Sequence, residues 1–172
     1  DINAPLPIGY GQTISQPLTV AFMLELLQPK PDDKILDIGS GSGWQTALLA
    51  HCVGEKGKVI AIELILELAE FAKKNISRYN FIKKGIVEVI CGDGSKGYSD
   101  IASYPELVEG FDKIIGAASA TEEPIALKKQ LKVNGRLVIP IKESIWLFVK
   151  KDNDKFEKKE FPGFAFVPLI NG

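Results

Sequence analysis

The stretch LDIGSGSGWQTA, residues 36–47, runs from apolar residues through one acid, Asp37, into three alternating glycines, Gly39, Gly41 and Gly43, and out into a helical pattern. Glycine at alternate positions removes the Cβ atoms that would hold a ligand away from the backbone. A strand that stops, turns on glycines and continues as a helix begins a βαβ unit, so a parallel sheet is expected around it. The surrounding chain fits. KILDI (34–38), KVIAIE (58–63), VEVIC (87–91), KIIGA (113–117) and RLVIPI (136–141) are short, β-branched and almost continuously apolar, as strands buried on both faces are. In LILELAEFAKKNISRY (64–79), Ile65, Leu68, Ala69, Ala72 and Ile76 recur at steps of three and four, which predicts an amphipathic helix. The alternation predicts an α/β fold, a doubly wound, mostly parallel, seven-stranded sheet in a single domain. SIWLFVKK (144–151) and FAFVPLI (164–170) read as the two strands of a C-terminal hairpin, residues 144–170, with DNDKFEKKEFPG (152–163) as a solvated loop between them. At least one late strand is then antiparallel.

Composition excludes several classes of function. The chain has 172 residues, 45% of them hydrophobic, and 21 Lys and Arg against 22 Asp and Glu, a formal net charge of −1. That is one ordinary domain without the clustered basic face that nucleic acid needs, so no nucleic-acid partner is expected. No apolar run approaches the roughly 18 residues of a membrane span, and no export signal is visible. A cytoplasmic, monomeric protein with no membrane partner is expected. Cys52 and Cys91 lack any metal-ligand spacing and read as buried small hydrophobes, so no metal is expected.

Spacing narrows the ligand. A dinucleotide fingerprint counted from Gly39 would need a third glycine where Trp44 stands; the chain instead reads D-x-G-x-G-x-G. Glu63 closes the next strand, twenty positions after Gly43, where a carboxylate can accept hydrogen bonds from both hydroxyls of a ribose. That position alone suits NAD equally well. Asp93, in CGDGSKGY just past the third strand, is either a turn residue or a third acid at a strand end. Ligands of open α/β sheets bind at those carboxyl ends.

The D-x-G-x-G-x-G loop resembles that of S-adenosylmethionine-dependent methyltransferases. PLPIGYGQTIS (5–15), with LDIGSGSGWQTALLA (36–50), VEVICGDGSKGY (87–98), QLKVNGRLVIPI (130–141) and FVPLI (166–170), resembles the protein-L-isoaspartate O-methyltransferase family across nearly the whole chain. The first of these motifs is specific to that family; the glycine loop is shared by many methyltransferases. The resemblance implies the Rossmann-like methyltransferase fold, S-adenosyl-L-methionine as cofactor, and transfer of its methyl group to the free carboxylate of L-isoaspartyl residues in damaged proteins or peptides. It further implies that residues 1–17 form a lid and substrate loop and residues 34–141 the cofactor-binding core. Gln12, Thr13, Ile14 and Ser15 would contact the cofactor from the lid, and Asp37, Gly39, Ser40, Gly41, Gly43, Glu63, Leu64, Asp93 and Gly94 from the core. Asp93 would face the adenine, and Ser15 is the residue the family designates catalytic. Backbone near residues 167–170 would hold the substrate peptide extended. Ser15 also reads as an N-cap for the apolar run after Pro17, and the two roles are compatible.

The scarcity of acid–base groups agrees with that chemistry. The sole histidine, His51, falls late in the helix after the glycine loop and reads as structural. An isoaspartyl carboxylate, with a pKa of about 4, is ionised at neutral pH and needs no base. Departures from the family pattern are few. Family members carry helical turns ahead of the opening motif, and that segment is expected to be missing here. Pro124 in GAASATEEP arrives late, Trp44 stands for a tyrosine, and Leu18 and Val20 occupy places where some members have histidine. Two other readings stand beside the repair enzyme: a methyltransferase of another substrate class, and a non-catalytic remnant that keeps the fold.

Overall fold

The computed structural model describes residues 3–98, 110–152 and 155–170. After a two-stranded hairpin, β1 (Leu6–Gly9) and β2 (Gln12–Ile14), come α1 (Pro17–Leu27), β3 (Lys34–Ile38), α2 (Trp44–Val53), β4 (Lys58–Glu63), α3 (Leu66–Ser77) and β5 (Val87–Cys91). Then follow β6 (Phe111–Gly116), α4 (Ile125–Lys129), β7 (Leu131–Ile141), β8 (Ser144–Asp152) and β9 (Lys155–Pro162). Strands β3 to β9 form one seven-stranded sheet in the order β5-β4-β3-β6-β7-β8-β9. The first five are parallel, and β8 runs antiparallel to both β7 and β9.

Strand alternation divides the core. Ile35 of β3 packs on one face with Met23 and Leu27 of α1, Leu49 and Val53 of α2, and Ala72 and Ile76 of α3. Leu36 and Ile38 point to the other face, against Leu127 of α4, Tyr98, Phe111 and Phe148. Both faces are covered, which is why the parallel strands read as unbroken apolar runs. From β3 the chain winds outward to β4 and β5 and then returns to place β6 on the other side of β3. This reversal opens a crevice at the carboxyl ends of β3 and β6, the place where such sheets take ligands.

The mostly parallel sheet and its antiparallel ending agree with the sequence reading, but the hairpin's second strand does not. Residues expected to be a solvated loop form β9, which pairs with β8 from Ser144↔Pro162 to Asp152↔Lys155. FAFVPLI supplies no strand. Its Pro168 makes one isolated bridge to Ser119, while Phe164 and Phe166 pack on the core. The backbone ladder of β8 needs a partner whatever its side chains are, and the mixed charges of KFEKKEFP suit a sheet edge, where they discourage further pairing. Pro168, with no N–H, cannot sustain a ladder.

Smaller departures share a cause, tertiary contact. The opening stretch, read as a loop, pairs Leu6↔Ile14 and Pro7↔Thr13 as a hairpin turning on Gly9 (φ 90°), Tyr10 (φ 54°) and Gly11 (φ 70°). Gln16, not Ser15, is the N-cap of α1, and its own side chain makes no cap bond; Asn3 Oδ1 instead accepts from the Leu18 N–H of the first turn (3.0 Å), and Pro17 has no N–H to satisfy. Cys91 is exposed and Cys52 half-buried, so neither is the buried hydrophobe expected. Cys91 ends the edge strand β5, which is flanked on one side only. No described helix is long and apolar enough to cross a membrane.

Candidate active site

The glycine loop is shaped by its own backbone. Gly39 and Ser40 N–H both donate to the Ile62 carbonyl (2.8 and 3.3 Å), and Gly43 N–H to the Ser40 carbonyl (2.8 Å). Gly39, Gly41 and Gly43 have φ of 78°, 52° and 80°, a region glycine enters without a Cβ penalty. Their surroundings differ. A Cβ on Gly43 would lie 2.9 Å from Ile76 Cγ1 and 3.0 Å from the Ala72 carbonyl, so this glycine seats α2 against α3. A Cβ on Gly39 would meet nothing nearer than Ala117 Cβ at 4.0 Å, so this one opens onto the crevice.

Two acids brace the loop. Asp37 is fully buried; its Oδ1 accepts from Gln45 Nε2 (2.8 Å) and its Oδ2 from Thr46 Oγ1 (2.6 Å). Burial pushes its pKa up to about 6, against the two hydrogen bonds that lower it, with the charge of Glu63 adding to the rise. Glu63, only 6% exposed, accepts from Gly41 N–H at Oε2 (2.8 Å) and from Ile65 N–H at Oε1 (3.0 Å). Each of its oxygens keeps acceptor capacity, and the side chain lines the crevice.

The crevice gathers residues from most of the chain. Gln12 and Thr13 of the hairpin, Gly39 and Gly41 of the loop, Glu63 and Leu64 at the end of β4, and Gly94 after β5 form its walls. A smaller adjoining pocket is lined by Thr13, Ile14 and Ser15 on one side and Gly39, Ser40 and Gly41 on the other. Three expected residues stand back from these walls. Asp37 lies beneath the loop, Gly43 packs on α3, and Asp93 closes a turn by accepting the Ser95 N–H at Oδ1 (2.8 Å) beside Gly94. His51 is exposed in the last turn of α2 and is not part of either wall.

Other wall residues are not among the site residues expected from the sequence. Ile8 comes down from β1, and its Cδ1 lies 3.2 Å from where a Cβ of Gly41 would stand. Ala117 and Ala118 follow β6, and Gln45 lines the smaller pocket from α2. The alanines were reachable by extending the strand-end rule to the fourth strand. The far wall is the segment 167–170: Ser119 N–H donates to the Val167 carbonyl and Leu169 N–H to the Ser119 carbonyl, both 2.8 Å. The proline-bounded hairpin therefore lies across the mouth of the glycine loop.

A profile of the family described as protein-L-isoaspartate(D-aspartate) O-methyltransferase matches residues 2–172. The chain belongs to that family. It is 42% identical over 173 residues to a protein-L-isoaspartate O-methyltransferase of Methanopyrus kandleri, covering 98% of this chain and 73% of the relative. It is 46% identical over 171 residues to protein-L-isoaspartate O-methyltransferase 2 of Archaeoglobus fulgidus, covering 98% and 74%. Its fold matches a Plasmodium falciparum protein-L-isoaspartate O-methyltransferase solved with S-adenosyl-L-homocysteine, with a TM-score of 0.88, 30% identity, and coverage of 99% of this chain and 82% of that one. The seven-stranded Rossmann-like sheet and its crevice are thus those of an S-adenosylmethionine-dependent methyltransferase family, as the sequence motifs imply.

Proposed function

We infer that this enzyme transfers a methyl group from S-adenosyl-L-methionine to the free carboxylate of L-isoaspartyl residues in damaged proteins and peptides. The observation that carries the reading is the hairpin bearing Thr13, Ile14 and Ser15, which shares a pocket with Ser40 and Gly41 of the glycine loop. The residues fit the cofactor. Ser40 Oγ is the single buried side-chain polar atom without a partner among the described residues, and an orphaned hydroxyl beside an open glycine loop awaits a ligand. Glu63 would hold the ribose, Gly39 and Gly41 would let the amino-acid end lie on bare backbone, and Leu64, Asp93 and Gly94 would flank the base. The bound cofactor supplies an electrophilic methyl group on a cationic sulfonium.

The chain itself has to orient and to exclude water. An ionised carboxylate is already the nucleophile, so Ser15 needs only to position it, together with the backbone near residues 167–170. Residues 1–17 act as the lid, 34–141 as the core that holds the cofactor, and 167–170, beyond the β8–β9 hairpin, as the substrate wall. We read the protein as a cytoplasmic monomer; its balanced charge supplies no net attraction to nucleic acid or to an anionic membrane surface.

Labelled cofactor offered with matched Asp and isoAsp peptides is expected to label the isoAsp peptide alone. Equal labelling of the two would make this a methyltransferase of another substrate class. Replacing Glu63 by alanine is expected to weaken binding of S-adenosyl-L-homocysteine by about 1–3 kcal/mol, since a hydrogen bond to a charged acceptor is lost at the ribose. Titration calorimetry on the folded variant measures it, and unchanged affinity would remove Glu63 from the site.

A further inference from the structure

The loop that follows β5 has little of its own to hold it. CGDGSKGY (91–98) carries three glycines, the residue that costs most to order, and β5 is an edge strand with a neighbour on one side only. Two local bonds shape its start: Ser95 N–H donates to Asp93 Oδ1 (2.8 Å), and Gly97 N–H to the Gly94 carbonyl (2.9 Å). Its far end is gripped from a distant part of the chain. Gln130, between α4 and β7, accepts the Tyr98 N–H at Oε1 (2.9 Å) and donates from Nε2 to the Lys96 carbonyl (3.0 Å). A backbone donor and a backbone acceptor allow the amide one orientation, so both ends of the side chain are committed to the loop. Between them Gly97 sits at φ 78°, and a Cβ there would fall 2.5 Å from Gln130 Oε1. Gln130 is itself anchored by its main chain: its N–H donates to the Leu127 carbonyl (3.1 Å), and its carbonyl accepts from Phe111 N–H (2.8 Å).

We propose that Gln130 is a positioning residue for base selectivity: its amide clasps residues 96–98 and so fixes Asp93 and Gly94 against the cofactor's purine. The proposal rests on the cofactor reading above, in which Asp93 and Gly94 flank the base. Gln130 lines neither pocket of the site and acts only through the backbone it holds. Gly94 lines the crevice and is packed so closely that a Cβ would lie 2.8 Å from Ile38 Cγ2, so a shift of the loop is felt at the wall. Telling one purine from another requires partners held to within about 0.5 Å. Released at its far end, a glycine-rich loop can follow either base, and selectivity goes before binding does.

Calorimetric titration of the full chain with S-adenosyl-L-homocysteine and with S-inosyl-L-homocysteine, whose base carries a carbonyl where adenine carries its amine, tests the proposal. The unaltered protein is expected to prefer the first by about tenfold, the scale of one hydrogen bond from the amine to Asp93. Gln130→Met, close in volume and unable to make either clasp bond, is expected to lose about tenfold for S-adenosyl-L-homocysteine and almost nothing for the inosyl compound, so that the preference disappears. Gly97→Ala, whose methyl group displaces the same amide from the loop side, is expected to lose the preference too, and the two changes combined to lose no more than either alone. A purely structural role would lower the melting temperature of the variants and leave the ratio of affinities intact. An undiminished ratio in either folded variant, or no preference in the unaltered protein, overturns the proposal and leaves the cofactor reading standing. Failure of the unaltered protein to bind S-adenosyl-L-homocysteine overturns both.

Discussion

Gly43→Ala is expected to lower the unfolding free energy by about 3 kcal/mol, whereas Gly39→Ala lowers it by about 1 kcal/mol and instead abolishes measurable cofactor binding. Both glycines sit at nearly the same positive φ, 80° and 78°, where an L side chain costs about 1–2 kcal/mol. The difference lies in what the new methyl group meets. At Gly43 it would press on Ile76 Cγ1 at 2.9 Å and on the Ala72 carbonyl at 3.0 Å, inside the α2–α3 contact, adding the roughly 1–3 kcal/mol typical of overpacking. At Gly39 the nearest atom is 4.0 Å away, so the protein accepts the methyl group and the crevice does not. Urea denaturation with calorimetric titration of S-adenosyl-L-homocysteine separates the two. Equal stability losses, or retained binding in Gly39→Ala, would contradict the assignment of one glycine to packing and the other to ligand.

The second large effect concerns Asp37. Its pKa rises from 3.8 in the unfolded chain to about 6 in the folded one, with burial the chief cause, so between those values the folded state holds the extra proton. Stability from this group is greatest below about pH 4 and falls as pH climbs to about 6, by about 3 kcal/mol at 1.36 kcal/mol for each unit. Above that window the group is charged in both states and the loss is constant. Asp37→Asn removes this slope. The new amide can donate to Gln45 once that side chain turns over, while its own carbonyl oxygen still accepts from Thr46, so no polar group is stranded. The variant is therefore expected to be more stable at pH 7 by up to about 3 kcal/mol. Denaturation at pH 4 and pH 7 in both proteins isolates this contribution together with its coupling to Glu63, since the remaining carboxylates cancel in the difference. A variant destabilised at pH 7 would show that the negative charge itself holds the loop.

The residues whose positions were legible in advance are those governed by local rules. Asp37, Gly39, Gly41, Gly43 and Glu63 fall at strand ends that apolar runs and glycine spacing mark unaided, and the structure brings Gly39, Gly41 and Glu63 to one crevice. What each side chain faces was not legible. Asp37 and Glu63 look alike as acids ending adjacent strands, but one turns under the loop to Gln45 and Thr46 while the other turns up into the crevice. Gln45 lies inside the glycine motif, but nothing in the motif shows that it bonds Asp37 and shares a pocket with Thr13, which is 32 positions away in the chain.

By itself, the sequence determined the run of buried parallel strands, the glycine turn and the family, because backbone freedom and the period of burial are properties of neighbours along the chain. Only the tertiary structure decided that KFEKKEFP is the edge strand, that Cys91 is exposed, and that the opening stretch is a hairpin laid over the loop by Ile8. Each of these depends on which distant backbone or side chain completes a hydrogen-bond ladder or fills a gap. Pairing of that kind leaves no periodic trace in the residues that take part.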